Sequence, residues 1–184
     1  MRSGARGARH PERVGTLSLH PIRHSTGAGT ERDDPVRDCG RAVAALVHAV
    51  GSELGIADDV INAAFDAALL EESGGPAPSH EIVVAAPDGA SVVLRHLGER
   101  WDGNGTPDGL AGEAIPLGSR LLRVASEYFR LQAGCLRSRQ FDDGEARRWI
   151  EFASGKRFEP RIVEALFRWV DRVEAGASTP TRPK

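Results

Sequence analysis

Few residues of this chain have the types and spacing that chemistry needs, and they gather in two places. One is the acidic pair Glu71-Glu72, with His80 and His96 further along. Carboxylates and imidazoles suit hard and borderline divalent cations. Adjacent helical residues diverge by about 100°, however, so Glu71 and Glu72 cannot face one ion together from a helix. The other place is the run Glu99-Arg100-Trp101-Asp102-Gly103-Asn104-Gly105-Thr106-Pro107-Asp108-Gly109-Leu110, continued by Ala111-Gly112-Glu113-Ala114-Ile115-Pro116-Leu117-Gly118. Its glycines and prolines specify a tight turn, and its charges specify a polar surface. Further on, Arg137 and Arg139 are candidate phosphate contacts, because guanidinium groups match phosphate geometry. Cys39 and Cys135 are far apart and have no C-x-x-C spacing, so they suggest neither a disulfide framework nor a zinc site.

The elements that position these residues read as helices. Val43, Leu46, Val47, Val50 and Leu54 recur at helical spacing, and Gly55 is a fitting terminator. Asp58 is expected to cap a second helix with Val60, Ile61, Ala64, Phe65, Ala68 and Leu69 on one face. Gly74, Gly75, Pro76 and Pro78 break the chain. Around Pro87-Asp88-Gly89, the runs 82–84 and 92–94 read either as a short hairpin near 82–94 or as two short helices. A long helix follows Pro116, burying Leu121, Leu122, Ala125, Tyr128 and Phe129. Asp142 and Glu145 have capping-box spacing for a helix ending near Gly155. Pro160 suits the first turn of a last helix that buries Ile162, Val163, Leu166, Phe167 and Val170. Trp149 and Trp169 fall within apolar faces as core or interface anchors. The expectation is an all-α bundle of about five helices around one core.

Of 184 residues, 40% are hydrophobic and 27% are charged, the balance of a globular domain that can bury a sizeable core. The net charge of −2 argues against a general nucleic-acid binder. No apolar run reaches the ~18–20 residues of a membrane span, and the Arg-rich start lacks the apolar segment of a secretory signal. A cytoplasmic protein with reduced thiols is expected, with no membrane partner. Residues 1–33, rich in Gly, Arg, Ser and His, read as a disordered basic tail, and residues 176–184 as a second disordered tail. The domain is assigned to 34–175.

The loop, the long helix after it and the stretch 153–167 resemble the HD-GYP family, metal-dependent phosphohydrolases that cleave cyclic di-GMP. Gly105-Thr106-Pro107 stands for the family's Gly-Tyr-Pro. Gly155-Lys156-Arg157-Phe158-Glu159-Pro160 stands for its Gly-Thr-x-Phe-Asp-Pro. The resemblance covers roughly 37–170, is strongest over Glu99–Leu131, and implies an HD-domain-like helical bundle.

At the positions where the family holds its metals, this sequence differs. Cys39 stands for the first metal-binding His. Glu71-Glu72 stands for the His-Asp pair, and Gly75 for the lysine after it. Leu97-Gly98-Glu99 stands for His-His-Glu, with His96 one position early. Ser126 and Phe129 stand for the two aspartates of Val-Ala-Asp-x-x-Asp-Ala, and Cys135-Leu136-Arg137-Ser138 for Arg-Pro-Tyr-Arg. Two-metal phosphodiester hydrolysis needs converging imidazoles and carboxylates. The resemblance therefore implies a degenerate domain with no catalytic residue, no metal and no cofactor. Its former metal-site positions are Cys39, Glu71, Glu72, Leu97, Gly98 and Ser126, and Cys39, Glu71, Leu97 and Ser126 are expected to converge. The implied role is a regulatory or binding module in cyclic di-GMP-type signalling. Its partner would be a signalling protein such as a diguanylate cyclase domain, a cyclic dinucleotide, or a second copy of the chain. Trp101, Asp102, Asn104, Thr106, Asp108 and Glu113 form the candidate binding loop, with Trp101 packed inward. The alternative is a divergent metal-dependent cyclic di-GMP phosphodiesterase; a structural dimer is a third reading.

Overall fold

The computed structural model describes residues 35–71, 88–133 and 141–176; the basic tail at 1–33 and residues 177–184 lie outside them. Six α-helices are described: α1 (Pro35–Glu53), α2 (Asp58–Leu70), α3 (Asp88–Arg95), α4 (Leu117–Ala133), α5 (Asp143–Ala153) and α6 (Pro160–Glu174). One 3-10 turn, Gly112–Ala114, interrupts the loop before α4. The all-α expectation holds, with one helix more than the five read from periodicity.

α1 buries Val43, Leu46, Val47 and Val50, the i, i+3, i+4, i+7 set of one helical face. It ends at Gly55, whose φ of +65° lets the chain turn while Ile56 N–H returns to Gly51 O at 3.0 Å. α2 starts on Ala57, not on Asp58. Asp58 and Asp59 lie in its first turn, where their charge complements the helix dipole without a side-chain cap. The small buried face of α2, Ala64, Ala67 and Ala68 beside Ile61, lets α1 approach closely. A Cβ added at Gly51 would lie 2.9 Å from Ile61 Cγ1.

Residues 88–95 form a helix, which overturns the second strand of the hairpin reading; residues 82–84 lie outside the described residues. Ala90, Val93, Leu94 and Leu97 follow helical spacing and all are buried, whereas Val92 faces solvent. Packing of that face on α2 and α4 outweighs the β preference of a short Val-Val-Leu run.

α4 is the centre of the bundle and packs against all five other α-helices. It buries Leu121, Leu122, Val124, Ala125, Tyr128 and Leu131, whereas Phe129 is only half-buried. Fully burying a large apolar side chain is worth roughly 1.5–3 kcal/mol, so this one face contributes heavily to the core. α5 opens on the expected capping box: Glu145 N–H donates to Asp142 Oδ1 at 2.7 Å, and Asp142 N–H donates to Glu145 Oε2 at 3.2 Å. α6 begins with Pro160 and buries Ile162, Val163, Ala165, Leu166, Phe167 and Trp169. Tyr128 of α4 meets Phe167 edge-on, with ring centroids 6.2 Å apart. Trp149 packs on Phe158 at 5.9 Å. No helix among the described residues is long and apolar enough to cross a membrane.

Candidate functional site

The loop between α3 and α4 is built around a buried carboxylate. Glu99 is 3% exposed, and its two oxygens accept the backbone N–H groups of Asp108, at 2.7 Å, and Leu110, at 3.1 Å. Gly105 folds directly onto this residue. A Cβ there would stand 2.4 Å from Glu99 Cα, so only glycine fits. The far side of the loop is pinned to the turn before α6. Trp101 and Asp102 N–H donate to the carbonyls of Arg157 and Lys156 at 3.4 and 2.8 Å. Trp101 is half-buried, not fully inward, and the Arg120 guanidinium sits 5.8 Å over its ring. Arg100 grips Asp102 through two hydrogen bonds of 2.9 and 2.5 Å. Those bonds hold the Asp102 carboxyl well below the usual carboxylate range. Asn104 N–H closes on Asp102 Oδ1 at 3.1 Å.

A cavity of about 10 Å³ lies between the loop, α4 and the turn before α6, lined among others by His96, Arg120, Arg123 and Arg157. That is room for roughly one water, so the loop rests on α4 instead of standing off it. The Nε atoms of the three arginines are buried there without a protein partner.

The positions matched to metal ligands lie below the loop. Glu71 terminates α2, and both its oxygens are engaged. Ser126 Oγ donates to Oε2 at 2.8 Å, and the Arg130 guanidinium donates to Oε1. Arg123, on the same side of α4, donates to the carbonyl of Leu97 at 3.0 Å. Burial pushes the Arg123 guanidinium below its ordinary value, and the charge of Glu127 opposes that shift. The Leu97 side chain belongs to the apolar core. Gly98 faces the loop: Thr106 N–H donates to its carbonyl at 3.3 Å, and a Cβ at 98 would meet Thr106 O at 2.7 Å.

Of the four residues expected to converge, Glu71 and Ser126 touch, and Leu97 joins them through Arg123. Cys39 is half-buried on α1. Glu72, His80, Cys135, Arg137 and Arg139 lie outside the described residues. His48 is exposed. Asp108 is not a free surface charge, since Arg95 donates to its two oxygens at 2.9 and 3.2 Å. Glu113 is exposed on the 3-10 turn. Sequence reasoning missed Arg123 and Arg130. Their spacing with Ser126 was a visible signal, a polar stripe at i, i+3 and i+7 along one side of the helix.

The metal centre implied by the resemblance does not fit these residues. Leu97 and Gly98 bring no donor, the Ser126 hydroxyl is spent on Glu71, and the charge facing Glu71 is a guanidinium.

Residues 86–162 match the model of the HD domain family. Over that stretch the chain is similar to HD domains. Over 80 residues it is 41% identical to a cyclic di-GMP phosphodiesterase response regulator of Xanthomonas campestris pv. campestris, a match covering 44% of this chain and 21% of that protein. Over 75 residues it is 40% identical to a cyclic di-GMP phosphodiesterase of Vibrio cholerae, covering 41% of this chain and 15% of that protein. The chain therefore matches only about a fifth or less of these relatives' length. A crystal structure of a cyclic GMP-AMP-specific phosphodiesterase of V. cholerae superposes with a TM-score of 0.59, at 20% identity, over 74% of this chain and 44% of that one. That likeness establishes the HD-domain fold of the bundle.

Proposed function

We propose that this HD domain serves cyclic-dinucleotide signalling as a binding or regulatory module that does not hydrolyse its ligand. One observation carries the reading: both oxygens of Glu71, at a ligand position of the resembled family, are taken by Ser126 and Arg130. An internal cation thus stands against the carboxylate that a metal would need. The neighbouring positions, Leu97 and Gly98, offer no replacement donor. The loop, in contrast, is firmly built, and its Asn104, Thr106 and Glu113 are exposed. A signalling protein such as a diguanylate cyclase domain is the partner that the resemblance suggests for it.

The relatives favour a second reading, since two at about 40% identity are named cyclic di-GMP phosphodiesterases. On that reading the chain is a divergent metal-dependent phosphodiesterase. Turnover separates the two. The purified chain, supplied in turn with Mn²⁺ and Fe²⁺, is incubated with cyclic di-GMP and with cyclic GMP-AMP. No linear product is expected, whereas titration of the same dinucleotides or of a cyclase domain should give saturable binding to one of them. Product formation that a chelator stops and added metal restores would establish the phosphodiesterase instead. For the docking face, Glu113→Lys is the cleaner probe, because reversing Asp108 also breaks its pair with Arg95.

A further inference from the structure

His96 falls one position before the pair matched to metal-binding histidines, and the structure gives it other company. Its Nδ1 lies 3.5 Å from Asp108 Oδ2 and 4.0 Å from Glu99 Oε1. One donor atom from each of His96, Glu99 and Asp108 falls within 4.8 Å of the others. The His96 Nδ1 atom is itself buried and has no hydrogen-bond partner, although a carboxylate stands on either side of it.

We propose that His96, Glu99 and Asp108 form a mononuclear site for a divalent transition ion of the zinc or manganese type, at the root of the loop. One imidazole and two carboxylates are a donor set that such ions accept. Around one ion with bonds of about 2.0–2.2 Å, donor atoms stand about 3–3.6 Å apart. The His96–Asp108 separation already falls in that range, and the other gaps need a small closing movement. Asp108 can make that movement. Its side chain is 37% exposed, and its pair with Arg95, whose side chain is 55% exposed, is of the weak solvent-screened kind. Glu99 is fixed by the Asp108 and Leu110 N–H groups, and a carboxylate retains lone pairs beyond the two they use. The buried Nδ1 of His96 already faces this space. The site shares no ligand with the Glu71–Ser126–Arg130 group and stands whether or not the domain hydrolyses anything.

The test uses the full chain and the metal alone. Zn²⁺ is titrated calorimetrically, and Co²⁺ is followed through its visible absorption. One ion per chain is expected to bind saturably. His96→Gln and Asp108→Asn should each weaken binding by roughly tenfold or more, as loss of a ligand costs at least what loss of its supporting contacts does. Glu71→Gln should leave it unchanged. Arg95→Ala removes only an exposed competitor for Asp108 and does not endanger folding; it should tighten binding about two- to fivefold. Absence of saturable binding, binding that survives His96→Gln, or an Arg95→Ala variant that binds no tighter would each overturn the proposal.

Discussion

Two buried carboxylates organise the two halves of this site in opposite ways. Glu99 is satisfied by backbone N–H groups of the loop it holds. Glu71 is satisfied by the side chains of Ser126 and Arg130. The first arrangement fixes a main-chain path, whatever side chains that path carries. The second fixes only the identity of its partners and can be replaced as a set. The loop resembles the family's in the backbone turn at Gly105 and Pro107, while the positions beneath it have different residues.

The largest effect should come from breaking the backbone-tied carboxylate. Glu99→Leu leaves two backbone donors without their ionised acceptor, at roughly 1.5–3 kcal/mol each, so chemical denaturation should show a loss of about 3–6 kcal/mol. No single second substitution should recover it. Arg130→Met strands Glu71, whose side chain is only 9% exposed, and should cost somewhat less, about 2–3 kcal/mol given the partial exposure of the pair. Here the rescue should work: Glu71→Leu with Arg130→Met should return to within about 1 kcal/mol of the parent, because an apolar pair can replace an ionic one. A double variant as unstable as Arg130→Met would erase the distinction between the two carboxylates.

Smaller effects sharpen the boundary between the regions. Gly98→Ala drives a Cβ against Thr106 O, a backbone atom that cannot swing aside, and should cost about 1–3 kcal/mol. An unchanged melting temperature would mean that the loop lifts freely from α3. The smallest effect concerns the core face of α4. Burial pushes the Tyr128 phenol up to about 12, with the charges of Asp143 and Glu174 adding to the shift. The free phenol ionises near 10, so the unfolded chain loses its proton first. Tyr128 therefore contributes stability that is whole below about pH 10 and is lost as pH rises towards about 12. It is the only tyrosine, so its absorbance titration reads one group. The midpoint should stay put in Arg130→Met; a drop towards 10 would show that core and floor are not separable.

What could be read from sequence follows from range. The ends of α1, α5 and α6 were legible because Gly55, the Asp142–Glu145 box and Pro160 act on their own neighbours. The loop was legible because glycine and proline constrain the backbone locally. The helix at 88–95 was legible only as one of two readings, since its Val-Val-Leu run favours a strand until α2 and α4 supply a face to bury it on. Ser126 was picked out by its motif position, but its partner Glu71 lies 55 residues away, and nothing local points from Arg130 to the end of α2. His96 reads as a misplaced ligand until the loop turns Asp108 back towards it.

The Glu99 clasp has a consequence for variation and engineering. Because it holds main-chain amides, the exposed side chains of Asn104 and Thr106 can change without redrawing the loop's outline, whereas Gly105 between them cannot be replaced by any other residue. Thr106 already stands where the resembled family has an aromatic ring. The loop is thus a socket with exchangeable contacts, and a new specificity could be written onto residues 104 and 106 while the scaffold beneath them is left alone.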